Sequence, residues 1–274
     1  MLDVEAQVYQ TNGSAGRKLT LPSVFDTKYN ADIVRRALLA EQSLGHQPQG
    51  HYLGAGMETS ASYTGRLGNY RTQRHIGLPP RPRQRLAKGA MGAVRRIPSS
   101  VKGRRAHPHH VEKTIIERIN RKEYERALES AVAATADAQL VKQQYRVANA
   151  QLPLVVSSDI EKISKTKELL SVLKSLGISD DLERSHSPRL AVGSRRKVQR
   201  RYFRSSVVIL AKDASAVSRA CRNIPGVEAL GVDKLRVSSM APGAKPRLAL
   251  WSEAALEAVK DGIASSVRSF KAIS

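Results

Sequence analysis

Leu152-Pro153-Leu154-Val155-Val156 is an unbroken apolar run, followed directly by Ser158-Asp159-Ile160-Glu161 and then by Ile163, Leu170 and Leu173 before Gly177. The run has the length of a strand buried on both faces. Ser-x-x-Glu at 158–161 is a capping box that would open a helix, and Gly177 is the residue type that stops one. This order recurs downstream. Residues 207–211 are apolar and β-branched, and Asp213 is placed to cap a helix bearing Val217 and Cys221. Residues 227–230 form another short strand candidate. Residues 248–251 form a further one, and Ser252 caps a last amphipathic helix carrying Leu256, Val259, Ile263 and Val267. Strands alternating with helices imply an α/β fold with a single, Rossmann-like, mainly parallel sheet flanked by helices.

Upstream, residues 4–9 alternate apolar and polar, and residues 18–21 supply a second strand after a glycine-containing turn. Asn30 is placed to cap a helix with Ile33, Ala37, Leu38 and Leu44 on one stripe. Thr114-Ile115-Ile116-Glu117 reads as a second capping box, opening a long helix with Ile115, Ile119, Ala127, Leu128 and Ala131 facing inward. These segments predict one globular domain from residues 1–44 and 111–274, with a basic excursion at 184–204. Residues 45–110 are left as a long extended loop. Glycines and prolines from Gly54 to Pro108 interrupt it throughout, so no regular element is expected there, and a loop of this length inside a domain is usually functional or disordered.

The chain has 274 residues and a net charge of +22, and the charge is concentrated. Arg66, Arg71, Arg74, Arg81, Arg83, Arg85, Lys88, Arg95, Arg96, Lys102, Arg104 and Arg105 fall in one stretch, with no Asp or Glu between Glu58 and Glu112. A second acid-free run holds Arg184, Arg189, Arg195, Arg196, Lys197, Arg200, Arg201 and Arg204. Together the two runs account for all but two of the net positive charges. Basic side chains gathered in this way release counterions from nucleic-acid phosphate. Arginine outnumbers lysine in both runs, and its planar fork grips phosphate and stacks on unpaired bases. Tyr63, Tyr70, Tyr202 and Phe203 lie within or beside the runs and are candidates for base stacking. Arg104 and Arg105 sit close to the helix expected at Thr114, which would fix them at the root of the loop.

Other chemistries find little support. Gly54-Ala55-Gly56 has neither the preceding strand nor the third glycine of a dinucleotide fingerprint, and no phosphate-binding loop motif occurs. His107-Pro108-His109-His110 has proline within it and no cysteine beside it, so these histidines are expected on RNA, not on a metal. Cys221, the single cysteine, is expected to be a buried apolar group. No apolar run reaches the length of a membrane span. The acidic, alternating start of the chain is unlike a signal peptide, so an intracellular, cytoplasmic protein is expected. No catalytic residue, metal ligand or cofactor site is assigned. An RNA-modifying, methyltransferase-like enzyme with a basic guiding arm is the alternative reading. It would need a glycine-rich turn after the first strand, where Asn12-Gly13-Ser14-Ala15-Gly16 leads only to another strand.

Several stretches resemble one family in the expected order. They are Gly103-Arg104-Arg105-Ala106-His107-Pro108 running into Val111-Glu112-Lys113, residues 131–137 (AVAATAD), residues 176–184 (LGISDDLER) and residues 222–227 (RNIPGV). Residues 235–251 follow, with Ala241-Pro242-Gly243 and Arg247-Leu248-Ala249-Leu250-Trp251. The chain is similar to the universal large-subunit ribosomal protein number four, in its archaeal and eukaryotic branch. The resemblance implies a structural constituent of the large subunit that binds its ribosomal RNA, with a long loop threading towards the peptide exit tunnel beside neighbouring ribosomal proteins. It implies no homo-oligomer and no membrane. The RNA-contacting role is carried to the twelve basic residues from Arg66 to Arg105, to His107, and to Arg195, Arg196, Lys197, Arg200, Arg201 and Arg204. Residues 63–66 (YTGR) and 78–85 (LPPRPRQR) depart from the family pattern.

Overall fold

Val155 faces one layer of the interior, while its neighbours Leu154 and Val156 face the other, and all three are fully buried. In the computed structural model, which describes residues 5–147, 151–191 and 200–270, this alternation defines a three-layer α/β/α arrangement. The chain runs β1 (Glu5–Tyr9), β2 (Ala15–Thr20), α1 (Ala31–Ser43), β3 (Arg83–Arg85), β4 (Met91–Val94), α2 (Arg121–Ala134), α3 (Ala138–Lys142) and β5 (Leu154–Val156). It continues through α4 (Thr166–Ser175), α5 (Ser179–His186), β6 (Arg189–Ala191), β7 (Arg200–Tyr202), β8 (Val208–Ala211), α6 (Ser215–Cys221) and β9 (Glu228–Gly231). The last elements are α7 (Val237–Met240), β10 (Ala249–Ser252), α8 (Glu253–Glu257) and α9 (Val259–Ser269).

The main sheet has the order β2-β1-β5-β10-β8-β9. Only β1 and β2 pair antiparallel; the other neighbours are parallel, with Leu250 opposite Leu154 and Ile209 opposite Ala229. The mainly parallel sheet expected from the sequence is therefore present. Its central strands bury both faces, which is why they read as continuous apolar runs. On one side Val155, Val208, Leu210 and Trp251 meet α1, α2 and α9, and Phe25 packs edge-on against Trp251 at 5.5 Å. On the other, Leu154, Val156, Ile209 and Leu250 meet α4, α5 and α6.

Two capping boxes are overturned. Glu161 turns away from its own helix: its carboxylate accepts from the amides of Lys212 (2.8 Å) and Asp213 (3.4 Å) and from the Ser252 hydroxyl. Residues 158–162 consequently make only a 3-10 turn, and α4 starts at Thr166. The Glu117 amide donates to Ser43 Oγ (3.0 Å) at the end of α1, so the helix begins at Arg121 instead of Thr114. Leu44 lies beyond α1 and is exposed, which removes it from the expected stripe. Asn30 caps α1 as expected, taking the amides of Asp32 and Ile33. Gly177, at φ +76°, ends α4, and Ile178 donates back to the Leu173 carbonyl. Cys221 is buried, and burial pushes its thiol up to about 12.

The chain divides into two units, Met1–His46 with Ile116–Ser274, and Gln47–Ile115. The second unit contains a short antiparallel hairpin, β3 with β4, which the expectation of no regular element did not foresee. Lys88 (φ +56°) and Gly89 (φ +79°) supply the left-handed turn between its strands.

Candidate nucleic-acid interface

Within residues 47–115 almost nothing is packed. Ala61 and Gln73 are the buried residues, while Tyr52, Leu53, Leu67, Tyr70, Leu86 and Val101 lie exposed. A segment with so little interior is held by its backbone and polar contacts instead of by a core. Ser62 donates to the Arg83 carbonyl (3.2 Å), adding a third chain to the hairpin, and Ser60 Oγ bonds both the amide and the carbonyl of Arg85. Gln73 donates from its backbone to the Thr64 carbonyl (2.8 Å).

This framework presents the predicted basic side chains outward. Arg66, Arg71, Arg74, Arg81, Arg85, Lys88, Arg96, Lys102, Arg104, Arg105 and His107 are exposed, and Arg83 and Arg95 are half-buried. Among the described residues, no lysine or arginine from 66 to 105 takes part in an ion pair. Some are aimed by internal contacts: Arg96 donates to the carbonyls of Met57 and Thr59, Arg95 to that of Val101, and Arg71 lies 5.0 Å from the Tyr70 ring centroid. Arg71, His75, Lys88, Arg96 and Lys102 adopt left-handed backbone conformations, φ +56° to +68°. Strain of this kind collects at functional segments. Arg104 and Arg105 owe nothing to a helix at Thr114. Gly56 closes against the backbone of Gly103 and Arg104 instead, and this contact is what Gly54-Ala55-Gly56 contributes.

The second basic run is built differently. Arg195, Arg196 and Lys197 fall outside the described residues, as does the side chain of Arg200, whose backbone belongs to β7. Arg201 is exposed and Arg204 half-buried. Arg184, which opens the run, is structural: it donates to Asp181 (2.7 Å) and to the Ser205 carbonyl (2.9 Å) and lies over the Tyr145 ring. Asp181 is fully buried and also accepts from Ser206 Oγ (2.6 Å) and the Arg146 amide (3.1 Å).

Sequence reasoning missed Arg247, although it begins the 247–251 stretch that carries the family resemblance. The side chain is 2% exposed and donates to the carbonyls of Ser206 and Gly226 (both 2.6 Å) and to the Glu228 carboxylate (2.7 Å). It gathers the chain entering β8, β9 and β10. An isolated arginine between two apolar segments carries no signal that separates this role from a surface charge. His109 and His110 are exposed, and among the described residues no three His, Cys, Asp or Glu side chains gather to hold a metal. Among the same residues, no helix is long and apolar enough to cross a membrane.

The geometry defines an α/β domain joined to an arginine-bearing extension that has no acid between Glu58 and Glu112. Comparison with known proteins gives that class its family. Residues 19–262 match the Ribosomal protein L4/L1 family. The chain is 36% identical to the large ribosomal subunit protein uL4 of Methanocaldococcus jannaschii, over 94% of this chain and 99% of the relative. It is 36% identical to that of Methanospirillum hungatei, over 92% and 97%, and 35% identical to that of Archaeoglobus fulgidus, over 93% and 97%. The chain belongs to the ribosomal protein L4/L1 family.

Proposed function

We propose that this protein is a structural constituent of the large ribosomal subunit in the cytoplasm, binding large-subunit ribosomal RNA and neighbouring ribosomal proteins. It does so as a single copy, and it is not an enzyme. The observation that carries this reading is the extension itself, whose arginines lie in a stretch without Asp or Glu from 59 to 111 and, among the described residues, make no ion pairs, on a framework with almost no core. Such a surface gains most from a folded polyanion, which neutralises its charge and covers its exposed apolar side chains. The basic residues from Arg66 to Arg105, His107, and Arg195, Arg196, Lys197, Arg200, Arg201 and Arg204 are the contact set. The extension is the part that threads towards the peptide exit tunnel.

The methyltransferase-like alternative meets an obstacle in Glu161. Open α/β sheets bind ligands beyond the carboxyl ends of their strands, and there the Glu161 carboxylate already takes the amides of Lys212 and Asp213 and the Ser252 hydroxyl. The test is sedimentation of the tagged protein with large subunits through high salt, followed by chemical probing of the RNA with and without residues 66–105. Retention of the full chain and loss of RNA protection on deletion are expected. Release of the full chain in salt, like a loosely adsorbed cation, would overturn the reading.

A further inference from the structure

A cleft of about 670 Å³ opens beside the β6–β7 hairpin, between the chain following α3 and residues 202–205. Its floor is fixed: the Tyr145 hydroxyl and Ser205 Oγ are 3.2 Å apart, and Arg184 is held by buried Asp181 and the Ser205 carbonyl. Above that floor the lining includes Lys142, Arg146, Arg189 and Arg204, with no carboxylate among the lining residues. None of these four cations has an ion pair among the described residues. Arg204 Nε is buried and, among the described residues, has no hydrogen-bond partner. Nε itself is closed to solvent, so a ligand would meet the remaining guanidinium N–H groups of this half-buried side chain. Tyr202 and Phe203 stand at the same cleft, 46% and 49% exposed.

We propose that this cleft holds one unstacked nucleotide of single-stranded RNA, its base on Tyr202 or Phe203 and its phosphate on Arg204 and the neighbouring cations. The proposal rests on the RNA-binding reading above and adds a defined subsite to it. The volume suits a small ligand. Cations alone would serve a duplex backbone or an acidic peptide equally well. Exposed aromatic rings beside a half-buried arginine favour an extruded base, the form in which RNA offers both a stacking face and a phosphate.

The experiment uses the full chain and a short single-stranded oligouridylate carrying thiouridine, photocrosslinked and mapped by peptide mass. The expected crosslink falls at residues 202–204. Replacing both rings (Tyr202→Leu with Phe203→Leu) should weaken that crosslink roughly tenfold in apparent affinity, the effect of losing one stacked base, while the thermal melt stays unchanged. The aromatic exchange Tyr202→Phe with Phe203→Tyr should restore it. Arg204→Gln should lower the salt slope of the same crosslink by about 0.7.

Three results would overturn the proposal while leaving the ribosomal reading intact. One is no crosslink at the cleft from a protein that still sediments with large subunits. Another is a crosslink that survives loss of both rings and vanishes only with Arg204→Gln, which describes a phosphate surface. The third is displacement of the oligonucleotide by polyglutamate more readily than by unlabelled RNA, which describes a protein-binding site. A chain that neither crosslinks nor sediments with large subunits would overturn both.

Discussion

Gly56 and Arg104 approach so closely that a Cβ on Gly56 would stand 2.6 Å from the Arg104 amide nitrogen. Gly56 also has φ +78°, a conformation that costs other residues about 1–2 kcal/mol. Gly56→Ala should therefore displace Gly103 and Arg104 within the extension. Binding to large-subunit RNA should weaken, while the melting transition of the α/β domain stays where it was. Filter binding and calorimetry on the same preparation check the two halves of that expectation, and equal RNA affinity would show that the position of Arg104 does not matter.

The distal arginines should act as charge. Arg81, Arg83 and Arg85 flank and enter β3, and among the described residues none of them makes an ion pair. Replacing all three with glutamine should reduce the log–log salt slope of RNA binding by about 2, at 0.7–0.9 per phosphate contact. A slope unchanged from the parent would place these side chains off the RNA.

Arg247 should matter for folding and not directly for binding. Arg247→Met leaves the Ser206 carbonyl without its donor, leaves the Gly226 carbonyl with only the Ser206 amide, and leaves the partly exposed Glu228 carboxylate to water. A buried acceptor left unpaired costs about 1–3 kcal/mol, so a loss of about 2 kcal/mol in a urea titration is expected. The salt slope of RNA binding by the fraction that remains folded should not change.

Cys221 gives a pH signature. Burial raises its thiol from 9.0 to about 12, so the native state keeps the proton over a range in which the unfolded chain releases it. The contribution is fully present below pH 9 and is lost as pH rises from about 9 towards 12. Cys221→Ala should flatten the fall in stability across that window. In native protein at neutral pH, thiol reagents should react with Cys221 only at the rate of unfolding.

The sheet was legible because its strands are buried on both faces, which leaves uninterrupted runs such as residues 152–156 and 207–211. The basic residues of the extension were legible because acids are excluded from the stretch that holds them, residues 59–111. Two helix starts were misread for a common reason. Ser-x-x-Glu at 158–161 and Thr-x-x-Glu at 114–117 are local signals, and in each a distant partner took the decisive group. Glu161 serves the ends of β8 and β10, and the Glu117 amide serves Ser43. The hairpin at residues 83–94 was hidden because its strands are short, its turn lacks the usual Asn-Gly or Asp-Gly pair, and its glycines suggested only irregular chain. Arg247 could not have been found without knowing which carbonyls surround it.

The Glu117–Ser43 bond also has a consequence for assembly. It pins the chain just after the extension to the chain just before it, so residues 47–115 leave and return as a closed loop with no free end. A tail can thread into a finished crevice end-first, but a loop closed at its base must pass two strands of chain through the same opening. RNA that surrounds such a loop has to fold around it. On the RNA-binding reading proposed above, a full-length chain added to completed particles should therefore fail to enter.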